Sequence, residues 1–333
     1  MNKQHIISSD KVASDINQPS IQIGISACLA GNKVRYNGGH TQSRLCLDLL
    51  SQCFTFITFC PEVEAGFGTP RPTMRLIGNP ESPQLAFSND STSDLTAQLL
   101  HGFEKKLPKM SHLDGYILMK NSPSCGLEKI KVFQPNGHPH QTRTTGIFAK
   151  ALKEQYPLMP IEEEGRLHDD KLFDNFILRV YAYRNFRKEV LELPSLHNLI
   201  IFHSRYKYIL MAHNQDKYRA LGRLLGSKKS IPLATLINSY FCDFIEALSK
   251  PASRKNHTNA LFHILGYLKG NLTSVAREHI IEIIHNYNKG LTPLTTPLTL
   301  LKHHLMQHGS TYIQHQRYLE PYPEKINPVI RYL

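Results

Sequence analysis

The stretch IQIGISACLAG, residues 21–31, decides the fold. Its first seven residues are mostly apolar and rich in isoleucine, which is typical of a strand buried on both faces of a parallel sheet. The runs FTFITF (residues 54–59) and GYILM (residues 115–119) have the same character. Helical patterns lie between these runs, and strands that alternate with helices predict a Rossmann-like, doubly wound α/β domain.

Two segments between the strands are predicted to be helical. The first is LCLDLL at residues 45–50. The second has an apolar residue at every fourth position, and residues 91–93 offer it candidate N-caps. Its apolar positions are Leu95, Leu99, Phe103 and Leu107. Residues 146–165 can supply one more helix and one more strand, so we expect the first domain to cover residues 21–165.

The pattern changes after residue 165 to long helical segments without a convincing strand, which predicts an all-α C-terminal domain. Residues 166–189 are expected to form a helix that bridges the two parts, and residues 190–323 to form the helical domain. Residues 1–20 have no apolar periodicity and are predicted to be a loose leader. Residues 324–333 are predicted to be a tail.

The composition excludes several classes of protein. The chain has 333 residues, of which 41% are hydrophobic and 20% charged, enough for two ordinary domains. No apolar run approaches the roughly 18 residues of a membrane span, and the first residues lack the apolar core of a secretory signal. Six cysteines are too sparse for a disulfide scaffold. We therefore expect a cytoplasmic protein with reduced thiols.

The formal net charge of +12 is unevenly distributed. From residue 190 onward, 17 Lys and Arg residues stand against 8 Asp and Glu residues, which leaves +9 there and +3 before it. This excess predicts a polyanionic partner such as nucleic acid, although a basic surface can also serve solubility alone.

Candidate RNA-binding residues come at helical spacings in this basic half. They are Arg205, Lys207, Lys217, Arg219 and Arg223, with Tyr206, Tyr208 and Tyr218 interleaved. Basic and aromatic side chains together suit the backbone and the splayed bases of RNA. The alternative is an ordinary solvated face.

Three cysteines follow the three predicted strands. Cys28, Cys60 and Cys125 come just after them, and the carboxyl ends of parallel strands share one edge, so we expect the three thiols to meet in one crevice. Three thiolates can hold a zinc ion with an open position, or a four-iron, four-sulfur cluster in which one iron lacks a protein ligand. The alternative is that they are small buried hydrophobic residues. We assign Cys46, Cys53 and Cys242 to that role.

Three motifs carry a resemblance to a known family. They are CLAGNKVRYNGG (residues 28–39), CPEVEAGFGTPRPTMRL (residues 60–76) and NSPSCG (residues 121–126). In this order they resemble the signature of the thiouracil desulfidase (TudS-like) family. The first motif reads CLAG where the family pattern has CLLG, an exchange that should affect packing more than chemistry.

The C-terminal half resembles the YbgA-like domain through HNQDKYRALGRL (residues 213–224), NHTNALFHILGYLK (residues 256–269), LTPLTTPLTLLKHHL (residues 291–305) and YLEPYP (residues 318–323). The combination of the two domains is similar to the tRNA 4-thiouridine desulfidases of the RudS type. The resemblance implies a four-iron, four-sulfur cluster held by Cys28, Cys60 and Cys125, whose remaining iron takes the sulfur of the substrate. It also implies hydrolysis of 4-thiouridine in tRNA to uridine, with tRNA held by the helical domain.

Two alternatives remain open. One is the same chemistry on free thiolated pyrimidines such as 2-thiouracil, and the other is a non-enzymatic iron-sulfur protein that binds RNA or senses a signal. The basic C-terminal half favours tRNA, because a neutral free base needs no large cationic surface. The sequence does not give the oligomeric state.

Addition of water to the pyrimidine ring needs a base, so we expect a carboxylate beside the cluster. Glu62 is the first candidate. Glu64 is the second, because alternate residues of an extended segment face the same way. The alternative role for Glu62 is an ion pair with Arg71 or Arg75.

Polar residues in the same motifs are candidates for contacts with the substrate. Ser124 can hydrogen-bond the pyrimidine or position water, with Ser122 as its rival, but a hydroxyl in a Ser-Pro-Ser turn also stabilises the turn itself. Arg35 and Arg71 are candidates to bind a phosphate or the pyrimidine carbonyl. Their alternative is an ordinary ion pair.

Overall fold

The computed structural model describes residues 21–226 and 231–323, so the predicted leader (1–20) and tail (324–333) lie outside the described residues. The strands are β1 (Ile21–Ser26), β2 (Phe54–Phe59), β3 (Met74–Asn79), β4 (Ser82–Phe87), β5 (Gly115–Leu118), β6 (Ile130–Phe133), β7 (Pro139–Thr144) and β8 (Ile161–Glu163). The three apolar runs of the sequence are β1, β2 and β5, which confirms the predicted strands. The expectation that residues 54–59 are buried on both faces was wrong, because β2 lies at the edge of its sheet and has three exposed residues.

The first sheet is parallel and has the strand order β2-β1-β5-β8. The chain leaves β1 toward β2 on one side and later returns to β5 on the other side. The strand order therefore reverses between β1 and β5, and a crevice opens there at the carboxyl ends of the strands. This is the edge at which the cysteine motifs were expected, and the predicted α/β class is confirmed.

The close approach of β1 and β5 requires a glycine. A Cβ atom on Gly24 would lie 2.2 Å from the ring of Tyr116, a completely buried residue of β5. Only a residue without a side chain lets that ring pack flat against β1.

A second sheet was missed by the sequence analysis. It is mixed, with the order β4-β3-β6-β7, and joins β3 to β6 in parallel and the outer pairs in antiparallel orientation. Its strands are partly exposed and interrupted by polar residues, so they lack the continuous apolar runs that marked the first sheet.

The helices are α1 (Pro61–Glu64), α2 (Thr96–Glu104), α3 (Ile147–Gln155), α4 (Asp170–Phe186), α5 (Leu196–His213), α6 (Gln215–Gly226), α7 (Leu233–Ala247), α8 (Arg254–Leu265), α9 (Ser274–Lys289), α10 (Thr295–His308) and α11 (Thr311–Gln314). The segment predicted at residues 45–50 forms a short π-helical turn continued by a 3₁₀ turn. The N-caps expected at residues 91–93 are wrong, because α2 begins after Leu95 and its first amide, that of Thr96, donates to Asp94 Oδ1 at 2.9 Å.

The C-terminal half is helical in every described element, as predicted. Several of its helices begin at a side-chain cap: Asp169 accepts from two amides of α4, and Ser195 and Ser253 cap α5 and α8. Within the described ranges, no helix is long and apolar enough to cross a membrane.

Helix α4 packs into both halves. Toward the first sheet, Arg184 donates to buried Asp114 at 2.8 Å. Toward the helical half, Phe186 stacks on Phe241 with ring centroids 4.2 Å apart, and Asn175 donates to the Leu248 carbonyl at 3.0 Å. One helix therefore holds the sheet and the helical bundle together.

Candidate functional site

Three cysteines from separate strand ends line one cavity of about 300 Å³. Cys28 follows β1, Cys60 follows β2 and directly precedes α1, and Cys125 lies in the loop after β5. The other cysteines do not line this cavity. Cys46 is buried and Cys53 half-buried, but Cys242 is exposed, so its predicted place in an apolar core is wrong: it lies on the outer face of α7.

Burial dominates the electrostatics of the three thiols. It raises the pKa of Cys28 to about 11, helped by the nearby Cys60. It also raises the pKa values of Cys60 and Cys125, although Ser26 hydrogen-bonds the Cys125 sulfur. Three thiolates crowded in such a site need a cationic partner to offset desolvation and mutual repulsion.

The donor set and its surroundings fit an iron-sulfur cluster. Three soft thiols without a fourth cysteine would hold a cluster and leave one iron without a protein ligand. The hydroxyl of Tyr116 is buried, has no hydrogen-bond partner in the described part of the chain, and interacts electrostatically with all three thiols. It is therefore a spare donor for a sulfur-rich group. Among residues 21–226 and 231–323, no three His, Cys, Asp or Glu side chains are grouped closely enough to hold a single metal ion.

Glu62 lines the same cavity and is held at both oxygens. Its Oε1 accepts a hydrogen bond from Ser124 Oγ at 2.9 Å, and its Oε2 forms an ion pair with Arg71. The carboxylate side chain is only 14% exposed. A carboxylate has about four lone-pair directions, so two contacts leave room for a water molecule or a substrate proton.

Glu64 points away from this cavity and pairs with Lys106. The expectation that Glu62 and Glu64 face the same way was wrong, because residues 61–64 form a helical turn and not an extended segment. At about 100° per residue, two positions along a helix place the side chains on nearly opposite sides. Of these two glutamates, only Glu62 lines the cavity.

The two serines of the NSPSCG motif have different contacts. Ser122 lines the cavity, and its hydroxyl accepts from the amides of Ser124 and Cys125 at 3.2 and 3.0 Å. Ser122 is therefore a turn stabiliser that shapes the Cys125 loop. Ser124 is completely buried, does not line the cavity, and directs its hydroxyl to Glu62.

The arginines of the motifs also separate. Arg71 is buried and bound internally, with Nη1 donating to the carbonyls of Gly68 at 2.8 Å and Val34 at 3.1 Å besides the pair with Glu62. Arg35 lines the cavity next to the half-exposed ring of Tyr36. Arg75 lies over the Phe133 ring and does not line the cavity. Arg35 is thus the freer of the two predicted substrate-binding arginines.

Two glutamates that the sequence analysis did not single out hold the cysteine loops. Glu163, at the end of β8, accepts from the amide of Leu127 at 2.8 Å, two residues after Cys125. Glu164 accepts from the Ser43 hydroxyl at 2.7 Å, and the Ser43 amide donates to the Leu29 carbonyl in the Cys28 loop. The run EEE at residues 162–164, at the carboxyl end of a predicted strand, is the sequence pattern that could have identified them.

The predicted RNA-binding residues differ in their partners. Lys217 is bound by Asp243 and Glu246 at 2.6 and 2.7 Å, and Arg205 pairs with Glu189 at 3.2 Å. Lys207 and Arg219 line a second cavity, in the helical half, which Arg223 does not line.

The interleaved tyrosines behave differently from the expectation. Tyr206 and Tyr208 are each 1% exposed and belong to the helical core, so they do not offer a face to RNA bases. Tyr218 is half-buried and lines the second cavity.

Comparison with known proteins gives a match for each half. The family model described as 2-thiouracil desulfurase matches residues 23–164, and the model described as a protein of unknown function (DUF1722) matches residues 207–323. The chain is 31% identical to the uncharacterized protein YbgA of Escherichia coli (strain K12), over 46% of this chain and 92% of the relative. It is 34% identical to the uncharacterized protein YbbK of Bacillus subtilis (strain 168), over 31% of this chain and 71% of the relative.

Among solved structures, the chain is similar to the [4Fe-4S]-dependent thiouracil desulfidase TudS. The identity is 26% and the TM-score 0.36, over 45% of this chain and 94% of that one.

Proposed function

Because the chain belongs to the 2-thiouracil desulfurase family and joins that domain to a DUF1722, YbgA-like domain, we propose that it removes sulfur from 4-thiouridine in tRNA to give uridine. Membership of the family confirms the predicted class of enzyme, a desulfidase of thiolated pyrimidines. The observation that carries the proposal is the convergence of Cys28, Cys60, Cys125 and Glu62 on one cavity, in a chain whose other half is strongly basic.

In this proposal Cys28, Cys60 and Cys125 hold a four-iron, four-sulfur cluster. When bound, such a cluster supplies an iron with an open position that the soft thiocarbonyl sulfur prefers over harder ligands. Tyr116 supports the proposal with a buried hydroxyl that can donate to a sulfur atom of the site. Glu163 and Glu164 fix the loops that carry two of the cysteines.

Glu62 is proposed as the general base. It takes a proton from a water molecule as the water oxygen bonds to the ring carbon, and it returns the proton as the carbon-sulfur bond breaks. Water therefore gives its oxygen to uridine and sulfur leaves as sulfide, so no electrons are gained or lost. Ser124 and Arg71 are proposed as positioning residues, since they fix the two oxygens of Glu62; Arg71 also lines the cavity, whereas Ser124 does not.

The helical half supports an RNA substrate over a free base. It carries +9 of the +12 net charge from residue 190 onward, and α4 fixes it to the sheet that bears the cavity. A base within folded RNA must be turned outward to enter an enclosed site, and this requires that the enzyme bind the neighbouring backbone. The family description, which names 2-thiouracil, favours the free pyrimidine as the second candidate substrate.

The test is incubation of the anaerobically reconstituted chain with tRNA that contains 4-thiouridine, and in parallel with free 2-thiouracil. Nucleoside analysis by mass spectrometry measures 4-thiouridine and uridine. Loss of 4-thiouridine with a matching gain of uridine is expected. Intact tRNA together with consumption of 2-thiouracil would establish the free-base alternative, and no reaction with either would favour a sensor or binding protein.

A further inference from the structure

The helical domain contains a cavity of about 310 Å³ between α5, α6 and α8. Its polar lining consists of Lys207, Gln215, Tyr218, Arg219, Asn259 and His263, and no carboxylate lines it. It shares no lining residue with the cysteine cavity, so it is a separate candidate binding site.

Most polar groups of this cavity have no hydrogen-bond or ion-pair partner among the described residues. Lys207 is half-buried, yet within residues 21–226 and 231–323 no carboxylate pairs with it, and its ammonium lies over the Tyr208 ring at 5.2 Å. The side chains of Gln215, Asn259 and His263 have no hydrogen bond to another described residue. Arg219 has only a loose pair with the exposed Asp216 at 3.6 Å. Groups of this kind are ready to receive a ligand that supplies negative charge and hydrogen-bond acceptors.

The charge of Lys207 helps to lower the pKa of a neighbouring histidine. Burial and the proximity of Lys207 lower the pKa of His203 to about 4, so this histidine is neutral at pH 7 and does not add to the charge. The same histidine packs its ring parallel to Tyr218, with centroids 6.1 Å apart. The His203 ring thus helps to hold the Tyr218 ring in place, and Tyr218 lines a cavity that also contains Lys207 and Arg219.

Two exposed aromatic rings continue this surface. Tyr267 and Tyr312 are 38% and 37% exposed, and their ring centroids lie 5.8 Å apart. Tyr267 contacts the Tyr208 ring, over which Lys207 lies. A cavity for one nucleotide with aromatic rings beside it suits a strand better than an isolated anion, because successive bases can stack on the rings.

We propose that this cavity binds one nucleotide of an RNA strand, with a backbone phosphate between Lys207 and Arg219 and the base against Tyr218. The amides of Gln215 and Asn259 face the edge of that base. The inference rests on the proposed function, because tRNA is the strand. It further divides the basic residues into those that contact phosphate here and those, such as Lys217, that are neutralised within the domain.

The test compares two double variants of the full chain that remove the same charge. Lys207→Gln with Arg219→Gln alters the cavity, and Lys255→Gln with Arg277→Gln removes one exposed lysine and one exposed arginine elsewhere in the helical half. Binding of tRNA is measured by fluorescence anisotropy over a range of salt concentrations. The cavity variant should bind about tenfold more weakly at low salt, and its salt dependence should be shallower by about one phosphate contact. The control should stay close to wild type.

Two further variants separate folding from binding. Lys207→Arg keeps the cation and should retain the wild-type salt dependence. Tyr218→Leu should weaken binding by about tenfold without changing the salt dependence, because stacking releases no counterions. Thermal unfolding followed by circular dichroism verifies that each variant is folded.

The outcomes distinguish the two proposals. Equal losses in the two double variants, with tight binding by wild type, would contradict the cavity while leaving tRNA as the substrate. Absence of tRNA binding by the wild-type chain would contradict the proposed function and the cavity together.

Discussion

Two cavities of similar volume in the described part of the chain, about 300 Å³ at the sheet and about 310 Å³ in the helical domain, differ in how their charged groups are held. In the first, the carboxylate of Glu62 is already held by Ser124 and Arg71. In the second, Lys207 has no carboxylate partner among the described residues, and Arg219 has only the loose pair with Asp216 at 3.6 Å. A site that performs chemistry needs groups fixed in advance, whereas a site that binds a charged ligand keeps its groups available for it.

The largest effect should come from removing a cysteine of the first cavity. Cys125→Ala should abolish desulfidase activity and lose most of the iron after anaerobic reconstitution, and Cys28→Ala and Cys60→Ala should do the same, because each supplies one of only three thiols. Iron and sulfide quantification measures the loss. Cys242→Ala is the matched control and should keep full iron, as should variants of Cys46 and Cys53. Full iron in Cys125→Ala would contradict the site.

The next effect concerns the base. Glu62→Gln keeps the shape and one acceptor oxygen but cannot take a proton, so turnover should fall by about a hundredfold or more while iron content stays unchanged. Glu64→Gln is the control, since its carboxylate pairs with Lys106 outside the cavity, and it should keep nearly wild-type turnover. If Glu62→Gln turned over at the wild-type rate, the base would have to be sought elsewhere in the cavity.

A smaller effect is expected from the support of the Cys125 loop. Glu163→Ala leaves the buried amide of Leu127 without its acceptor, which should cost about 1–3 kcal/mol in the free energy of unfolding. Glu163→Gln retains a carbonyl oxygen and should cost less. Denaturant unfolding of both variants, with iron content as a second readout, measures this. Equal stability of the alanine variant and wild type would show that the glutamate does not brace the loop.

The smallest effect is the pH dependence of stability that comes from three buried histidines of the helical half. Burial lowers the pKa of His203 and His213 to about 4 and that of His257 to about 3, from an ordinary value of 6.5, and all three lie in helical-domain elements. Between pH 4 and pH 6.5 the unfolded chain binds more protons than the folded one. The contribution of these histidines to the free energy of unfolding is therefore fully present above pH 6.5 and is lost as the pH falls toward 4. The melting temperature should therefore drop by about 5 °C between pH 7 and pH 5.

His257→Gln should reduce that pH dependence, because it replaces one of the three titrating rings. Its ring contacts the Tyr318 hydroxyl at 2.8 Å, and glutamine can keep a hydrogen bond there. A pH profile identical to that of wild type would exclude His257 from the effect.

The sequence predicted the features that long apolar runs determine. Strands β1, β2 and β5 were predictable because each is a continuous, largely apolar run, although only β1 and β5 are buried, and their carboxyl ends then brought the three cysteines to one edge. The second sheet was not predictable, because strands such as β3 and β7 are mostly exposed or half-buried and show neither a continuous apolar run nor a regular alternation of apolar and polar residues.

Side-chain direction was the part that the sequence could not supply. The choice between Glu62 and Glu64 depended on a single helical turn after Cys60, which a Pro-Glu-Val-Glu segment does not reveal. Likewise, which face of α5 is buried depends on packing against other helices, so the sequence did not show that Tyr206 and Tyr208 lie in the core while Lys207 lines a cavity.

Desulfuration of tRNA at the cysteine cavity should depend on separate binding of the RNA by the helical half. This dependence can be measured on the full chain. The ratio kcat/KM is determined for 4-thiouridine in tRNA and for free 4-thiouridine at increasing salt concentration. We expect kcat/KM for tRNA to fall steeply with salt and kcat/KM for the free nucleoside to change little, because only tRNA makes phosphate contacts. A salt dependence that is the same for both substrates would contradict it.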